Sequence, residues 1–410
     1  MDIGRVLIKP SSIGFNFLLG LLAAVPTFGI DMSLPALGAT GAALNVSASE
    51  IGLTISIFML GLATTPLISG PISDRYGRKP VALFGVGLFV IGSLGCALAQ
   101  SLSALLTWRY VQGAGAASAM VAMAIIRDLF DGPVARQKIS IVIISMNIAP
   151  MIAPTVGAAL LALGGWRLIY ATLVAFGLVL LSAILLGFAE SAKIDPTKRL
   201  MPSAIASAYI RVLTHPISLG YILINATAFG AIFAYATGSS LFFINVAGLR
   251  PDQYGLIFGA SAVAVMAGAF IDGRLSGWGI SPRYPLMIGL ALLAIAAATL
   301  LAMTLAAWMP LPLVIFLVIV ATLAFGLITP NATNGVMQPL PQFAGVASGA
   351  AGCIQILAGA GSSGLVAVLF DGRSALSMTA VMTLCSLFAV ISYLLIARPA
   401  ERLVLRSRTG

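Results

Sequence analysis

The chain has 410 residues, of which 60% are hydrophobic and only 8% charged, and its formal net charge is +10. Soluble domains carry about 25% charged residues, so the composition excludes a soluble protein and indicates one embedded in lipid. The basic residues lie in short loops between apolar runs, which favours membrane orientation over nucleic-acid binding as the reason for the charge. Three cysteines and one histidine show no metal-ligand spacing, so we expect no metal and no cofactor.

Twelve apolar runs are long enough to cross a bilayer as helices, since each crossing needs about 20 residues. The sequence therefore predicts an all-α membrane protein with twelve transmembrane helices. The run over 215–247 is long and rich in glycine, so we expect a tilted or kinked helix there. The predicted spans are 13–38, 51–72, 80–100, 102–126, 139–163, 168–189, 215–247, 252–273, 285–307, 311–338, 343–370 and 374–397.

The distribution of Lys and Arg predicts the orientation. With twelve spans and a cytoplasmic N-terminus, 18 of the 22 basic residues fall on the cytoplasmic side. The opposite side holds only Arg167, Arg250 and Arg373, and Arg109 falls inside a span. Because cytoplasmic loops are enriched in Lys and Arg, we expect both termini in the cytoplasm.

A weak internal repeat accompanies the longest polar stretch. Gly70 precedes Asp74 by four residues at the end of the second span, and Gly268 precedes Asp272 in the same way at the end of the eighth. Equivalent sequence in two halves is typical of duplicated transporter folds. We therefore predict two pseudo-symmetric six-helix bundles, over 1–189 and 215–410, joined by a cytoplasmic linker over 190–214.

The loop after the second span carries the most specific pattern. The segment Gly70-x-x-x-Asp74-Arg75-x-Gly77-Arg78-Lys79 resembles the loop signature of the major facilitator superfamily. An ordinary basic loop is the simpler reading, but six matching positions at fixed spacing disfavour it. The resemblance implies that this loop holds the protein in one conformational state, with Asp74 at a helix terminus and Arg75 and Arg78 as partners.

Further segments resemble one group within that superfamily, the Bcr/CflA exporters of bicyclomycin and chloramphenicol resistance. The resemblance runs from about residue 16 to 395 and implies drug:proton antiport. Ser33 departs from it where the group favours an aromatic residue, and Ala158 stands in place of a second glycine. The matching segments are Asp31-Met-Ser-Leu-Pro35, Arg109-x-x-Gln112-Gly113, Arg127-Asp128, Ala149-Pro150-x-x-Ala153-Pro154-x-x-Gly157, Gly165-Trp166-Arg167-x-x-Tyr170 and Ala344-Gly345-x-x-Ser348.

The fifth span has a physical meaning that does not depend on the family. Pro150 and Pro154 each remove a backbone donor one helical turn apart, and small residues such as Gly157 allow a neighbouring helix to approach closely. These features predict a bent helix suited to rocking, and a kinked packing helix is the alternative. We expect Pro150, Pro154 and Gly157 to act in gating.

Two charged residues fall inside predicted spans of the first half. Asp31 lies about seven residues before the outer end of the first span, and Arg109 about seven after the outer start of the fourth. At 1.5 Å per residue both are roughly 10 Å deep. Placing a charge inside the membrane costs free energy, so such residues usually have a function. We therefore predict that Asp31 carries the coupling proton and that Arg109 is its switching partner. A static salt bridge is the alternative, and we expect no comparable buried charge in the second half.

The remaining cavity is predicted from side chains at mid-span. Met and aromatic surfaces with a few amides would suit small lipophilic compounds, because such surfaces repack around varied shapes. We expect a functional monomer in the cell inner membrane, with such compounds and protons as its cargo. The predicted liners are Gln112, Met120, Met123, Met146, Asn147, Asn225, Phe229, Phe233, Asn331, Asn334 and Gln355.

Other functions remain open or are disfavoured by the sequence. A proton-coupled exporter of a metabolite would look nearly the same, because the fold does not fix the substrate. An enzyme would need converging catalytic groups, and a channel would need a filter or charged ring. No G-x-x-x-x-G-K-[ST] motif is present, which disfavours a built-in ATPase.

Overall fold

The computed structural model describes residues 8–10, 12–187, 189–191 and 202–409, and within them the backbone is helical with no strand. Turns, 3₁₀ segments and π segments connect or extend the helices. The α-helices are α1 (Ile13–Asp31), α2 (Leu37–Leu44), α3 (Ala48–Thr64), α4 (Pro66–Tyr76), α5 (Arg78–Leu98), α6 (Leu102–Ala116), α7 (Val121–Leu129), α8 (Gly132–Gly187), α9 (Pro202–Thr214), α10 (Pro216–Ser240), α11 (Pro251–Gly277), α12 (Arg283–Leu305), α13 (Leu311–Met337), α14 (Ala344–Leu369), α15 (Leu376–Ser392) and α16 (Arg398–Thr409).

These described helices form twelve passes, which confirms the predicted all-α membrane fold. The first pass joins α1 to α2, the second joins α3 to α4, and the fourth joins α6 to α7. The long helix α8 contains two passes, because Gly164 and Gly165 leave helical dihedral angles. Gly165 has a φ of +74°, a conformation that favours glycine.

Side-chain caps explain several of the helix starts. The Ser12 hydroxyl accepts from the Phe15 N–H, and the Ser101 hydroxyl accepts from the Ala104 N–H. The Ser47 hydroxyl likewise accepts from the Glu50 N–H. His215 caps α10 through Nδ1, which accepts from the Ser218 N–H at 3.4 Å. Each contact satisfies a backbone donor that the helix itself leaves unpaired.

Packing divides the chain into two compact units. The first consists of the described residues of Met1–Leu200 with Leu249–Gly259, and the second of those of Met201–Gly248 with Ala260–Gly410. Residues 192–201 of the predicted linker lie outside the described residues. The part from Pro202 to Thr214 is helical, so the linker is not irregular throughout.

Within the first unit, glycines bring helices into backbone contact. A Cβ on Gly113 of α6 would overlap the Phe58 carbonyl oxygen of α3, and one on Gly61 of α3 would overlap the Tyr110 carbonyl oxygen of α6. Small residues at such crossings are typical of membrane helix packing. The second unit repeats this construction, since Gly268 of α11 and Gly326 of α13 each approach the other's helix backbone.

The seventh pass differs from a simple kinked helix. Helix α10 runs unbroken to Ser240 and continues as a π-helical stretch, Leu241–Val246. Such stretches place one extra residue in a turn, which re-aims the following side chains. The irregularity predicted for 215–247 is therefore concentrated at one end of the pass.

Candidate functional site

Asp31 is the last residue of α1, where the helix breaks. The Ser33 hydroxyl donates to the Ile30 carbonyl oxygen at 2.7 Å, and a 3₁₀ segment, Leu34–Ala36, follows before α2 begins. Pro35 contributes no backbone donor, which favours the interruption. The Asp31 side chain is only 8% exposed. It forms no hydrogen bond or ion pair with any residue that the structure describes.

Arg109 lies in α6 and is fully buried. Its Nη1 donates to the Gly29 carbonyl oxygen and to Gln112 Oε1, both at 2.8 Å. Its Nε donates to the Thr54 carbonyl oxygen at 3.2 Å. Within the described part of the chain, Arg109 Nη2 is buried and has no hydrogen-bond partner. The guanidinium therefore retains an unused donor inside the first unit.

Aromatic rings and amides complete the surroundings of Arg109. The guanidinium carbon lies 4.6 Å from the centroid of the Phe58 ring and 5.9 Å from that of Tyr170. Gln112 Nε2 donates in turn to the Ser93 hydroxyl at 2.8 Å. Dipoles and aromatic faces thus stabilise the cation in place of a carboxylate. The sequence did not predict the roles of Phe58 and Ser93.

The structure places Asp31 and Arg109 near each other without pairing them. Arg109 contacts the carbonyl of Gly29, two residues before Asp31, but the charged groups form no ion pair. The first apolar span continues to Leu44, beyond the predicted end at residue 38. Thirteen residues beyond Asp31 correspond to roughly 20 Å of helix if the pass were unbroken.

The loop signature contains an ion pair within the first unit. Arg78 Nε donates to Asp128 Oδ2 at 2.8 Å, and its Nη1 donates to the Ser73 hydroxyl at 3.0 Å. Gly77 separates α4 from α5 with a φ of +106°. The Arg75 guanidinium lies over the Tyr76 ring. The side chain of Asp74 lies outside the described part of the structure, and Gly70 lies within α4.

A residue that the sequence did not predict, Glu190, caps the same turn. Its carboxylate accepts from the Arg78 N–H at 2.7 Å and from the Lys79 N–H at 3.0 Å. A Cβ on Gly77 would overlap this carboxylate, so a larger residue there would displace the cap, and the positive φ at Gly77 favours glycine. The only signal in the sequence was an acidic residue just after the sixth span.

The prolines of the fifth pass lie inside α8 without interrupting it, and its non-helical residues are Gly164 and Gly165. Gly157 has a more specific position. A Cβ there would overlap the carbonyl oxygen of Met32, the residue after Asp31. The fifth pass therefore packs directly against the break in the first pass.

The second unit does contain a buried carboxylate, contrary to our expectation. Asp272 is 8% exposed, like Asp31, and its Oδ1 accepts from Asn331 Nδ2 at 2.6 Å. Helix α11 continues to Gly277, beyond the predicted end at 273, so Asp272 lies inside the pass. Asn331 was predicted to line a cavity, but its side-chain amide is not free, because it donates to this carboxylate.

The other predicted cavity residues have varied surroundings. Asn225 Nδ2 donates to Gln355 Oε1 at 3.1 Å, and Asn225 Oδ1 is buried with no partner in the described residues. Phe229 stacks on Phe233 with centroids 4.5 Å apart. Asn147 donates to its own helix. The remaining members are the exposed Met120, Met146 and Asn334 and the half-buried Met123.

These features define a membrane transporter, with two helical bundles and charged groups buried inside a pass. The Major Facilitator Superfamily model matches residues 19–363, and the chain belongs to this family. Its members carry substrates and are not enzymes.

Individual relatives give a more specific resemblance than the superfamily as a whole. The chain is 30% identical to the uncharacterized MFS-type transporter YdgK of Bacillus subtilis, covering 92% of this chain and 94% of the relative. It is 27% identical to a bicyclomycin resistance protein homolog of Haemophilus influenzae, covering 94% and 96%. It is 28% identical to the multidrug resistance protein MdtL of Escherichia coli, covering 90% and 92%. The bicyclomycin resistance protein homolog and MdtL match the exporter group that the motifs indicated.

Solved structures share the fold at low sequence identity. A bacterial homolog of the human lysosomal transporter Spinster, in an inward-facing and occupied conformation, superposes with a TM-score of 0.76 at 17% identity. The alignment covers 98% of both chains. A D-xylose–proton symporter gives a TM-score of 0.71 at 17% identity, covering 92% of this chain and 97% of the symporter.

Proposed function

We propose that this transporter exports small lipophilic compounds in exchange for protons by alternating access. The observation that carries the proposal is the buried Asp31 carboxyl, which has no partner among the described residues. An ionised group inside the bilayer costs at least about 2.5–3.5 kcal/mol. An unpaired carboxyl there can hold a proton while its surroundings are dry and release it when water enters.

Arg109 supplies the second part of the proposed coupling. Its Nη1 and Nε are held by carbonyl and amide oxygens, while Nη2 is buried with no partner in the described residues. We infer that the ionised Asp31 carboxylate turns to this free donor in another conformation. Protonation of Asp31 would break that pairing, so the proton and the conformation would be linked.

The proposed gate combines the loop signature with the fifth pass. The Arg78–Asp128 ion pair and the Gly77 turn support a locking role for the loop within the first unit. The contact between Gly157 and the Met32 backbone gives the fifth pass a direct connection to Asp31. The proposed gating residues are Gly70, Asp74, Arg75, Gly77, Arg78, Pro150, Pro154 and Gly157.

Lipophilic cargo is supported by side chains of the second unit and by the named relatives. The stacked rings of Phe229 and Phe233 offer an apolar surface, and Asn225 Oδ1 offers an unused acceptor. Two of the relatives are named for bicyclomycin and multidrug resistance. Export of a metabolite on the same fold is the alternative.

We further infer a monomer in the cell inner membrane with both termini in the cytoplasm, from the bias of basic residues. The halves over 1–189 and 215–410, with the linker over 190–214, remain a proposal about organisation. Cysteine labelling from either side of the membrane tests the orientation. Labelling of a cysteine at Ser281 from outside intact cells contradicts it.

The decisive test of coupling is efflux in everted vesicles under an imposed pH gradient. Asp31→Asn should abolish gradient-driven transport while the protein still reaches the membrane. Asp272→Asn removes a carboxylate of equal burial in the second unit, and it should lower transport at every pH gradient without removing the dependence on the gradient. Full proton-driven transport by Asp31→Asn would refute the proposal.

A panel of substrates separates drug export from metabolite export. Chloramphenicol, bicyclomycin and a cationic dye represent the first class, and sugars and amino-acid derivatives the second. Gradient-driven movement of the first set alone supports the proposal. Movement of only the second set supports the metabolite alternative and leaves the coupling result unchanged.

A further inference from the structure

The last pass is longer than a bilayer requires. Its apolar part runs from Leu376 to Leu403, which is 28 residues, whereas about 20 residues cross a hydrocarbon core of about 30 Å. Counted from Leu376, the residues from about 396 onward therefore lie at the level of the lipid headgroups. Helix α16 begins there, at Arg398.

A change of helix geometry marks the same place. A π-helical stretch, Tyr393–Ala397, joins α15 to α16. Pro399 has no N–H to donate to the Leu395 carbonyl, which favours a wider turn at this point. The extra residue in a π-helical turn re-aims the side chains that follow it. The side chains of α16 therefore do not simply continue the faces of the last pass.

Close contacts fix the start of α16 against the second unit. Tyr221 Oη donates to Glu401 Oε1 at 2.5 Å. A Cβ on Gly335 of α13 would overlap the Tyr221 ring, and a Cβ on Gly220 of α10 would lie 2.9 Å from the Ala397 nitrogen. The Glu401 carboxylate is thus engaged by the helical bundle, and the first turn of α16 has a defined position.

An open groove of about 350 Å³ lies along this part of the chain. Arg398 and Arg402 line the groove one helical turn apart, together with the apolar Leu394, Pro399 and Leu403. Like charges at this spacing repel each other. An anion bound between the two arginines would remove that repulsion, so the groove is electrostatically suited to a negatively charged ligand.

Neither arginine is neutralised within the described part of the chain. The ion pairs found there involve other residues, and Glu401 forms none with Arg398 or Arg402. Arg398 Nε is buried without a hydrogen-bond partner among those residues, so it is closed off from the groove. The terminal nitrogens of Arg398 are not closed off in this way, and Arg402 is exposed. A ligand in the groove would therefore meet the terminal nitrogens.

We propose that this groove binds the headgroup of an anionic phospholipid. Its phosphate oxygens would accept from the terminal nitrogens of Arg398 and Arg402, because the guanidinium fork matches phosphate geometry. The acyl chains would run along the exposed Leu394, one turn deeper in the bilayer. A phospholipid fits better than a free anion, because the groove joins two cations to apolar side chains at headgroup level. This binding does not depend on proton exchange.

Photoreactive phospholipids test the site directly. Purified full-length protein is placed in phosphatidylcholine nanodiscs that contain a small fraction of phosphatidylglycerol with a diazirine in its acyl chain. Adducts are mapped by peptide mass spectrometry, and photoreactive phosphatidylcholine with the same chains is the comparison. We expect saturable adducts at Leu394 and Leu395, at least about fivefold more abundant with phosphatidylglycerol. Equal labelling by the two lipids would show ordinary bilayer contact and overturn the proposal.

Arginine variants test the chemistry of the groove. Arg402→Gln should lower phosphatidylglycerol labelling by about fivefold, as expected for one basic residue lost near an anionic lipid, and should leave phosphatidylcholine labelling unchanged. Arg398→Gln should act in the same way. Arg274→Gln is the matched control, because Arg274 is an exposed arginine in the last turn of α11 that does not line the groove.

The variants remain decisive even where folding is affected. Arg402 is exposed, so Arg402→Gln should unfold at the same temperature as the natural chain, and it decides alone if Arg398→Gln does not fold. Unchanged labelling of Arg402→Gln contradicts the proposal. An equal loss in Arg274→Gln also contradicts it, because that result would indicate a general attraction of anionic lipid to basic residues.

Inorganic phosphate separates a lipid headgroup from a soluble anion. Phosphate added to the nanodiscs should reduce labelling no more than sodium chloride at the same ionic strength, since salt screens both equally. A loss of labelling specific to phosphate would identify a free phosphate ion as the occupant and overturn the proposal.

Discussion

The guanidinium groups of Arg109 and Arg78 have different kinds of hydrogen-bond partners. Arg78 lies at the end of a pass and pairs with the carboxylate of Asp128. Arg109 is fully buried and is held by neutral oxygens and by the Phe58 ring. An arginine that is paired with a carboxylate must lose that partner before it can pair with another, whereas a cation held by neutral dipoles remains available to a carboxylate. The latter arrangement suits a residue that must change partners.

Glu190 gives a prediction at the same scale. Glu190→Ala leaves the Arg78 and Lys79 N–H groups at the start of α5 without their acceptor. Loss of such a cap costs about 0.5–2 kcal/mol. We expect faster hydrogen exchange of those two amides. Glu190→Gln keeps one acceptor oxygen and should have an intermediate effect, and equal exchange in all three proteins would contradict the role.

Among the elements, the pairing of α3 with α6 depends on glycine. Gly113 meets the Phe58 backbone, whereas Gly87 of α5 has nothing within 4 Å of an added Cβ. A methyl group added at Gly113 would therefore overlap a neighbouring helix, whereas one added at Gly87 would meet open space. The helix propensity of alanine favours both replacements.

Gly113→Ala should lower the thermal unfolding temperature, because the overlap is with backbone and costs about 1–3 kcal/mol. Gly87→Ala is the control and should be neutral or stabilising by up to about 1 kcal/mol. Unfolding of purified protein, followed by intrinsic fluorescence, measures both. A Gly113→Ala protein as stable as the control would show that the two helices can separate at no cost.

The start of α3 is predicted to be sensitive to acid. The Ser47 hydroxyl and N–H donate to the Glu50 carboxylate at 2.7 and 2.9 Å, which lowers the pKa of Glu50 below 4.5. Because the folded-state pKa is lowered, this stabilisation is present above the unfolded-state pKa and is lost as pH falls through the folded-state value. Amide protection in this turn should fall below about pH 4.5. Glu50→Gln cannot titrate and should show no such fall.

For the whole molecule, the source of energy is a testable property. The proposed exchange for protons predicts that export depends on the proton gradient. A protonophore should stop export in cells, whereas ATP depletion with the gradient maintained should not. Export that follows the ATP level at a constant gradient would indicate an external ATPase partner.

The twelve passes could be predicted from the sequence, because the bilayer requires long apolar helices. The sequence identified Arg109 and Asp31 through the cost of intramembrane charge. It missed Asp272, because a helix end read from hydropathy is uncertain by a turn. It also missed Glu190, since a cap between distant segments arises only from tertiary packing. The roles assigned to the predicted gating and cavity residues stay predictions.

The lack of a hydrogen-bond or ion-pair partner for Asp31 among the described residues has a practical consequence for work with the purified protein. A side chain that forms no bond in the described structure contributes nothing favourable when the chain folds. Asp31→Asn keeps the shape of the side chain and removes the free-energy cost of burying an acid, so this variant, which we predict to be inactive, should melt no lower than the natural protein. Such a variant would be stable enough to trap the transporter with its substrate bound. A clear drop in its melting temperature would reveal a bond to Asp31 formed in another conformation.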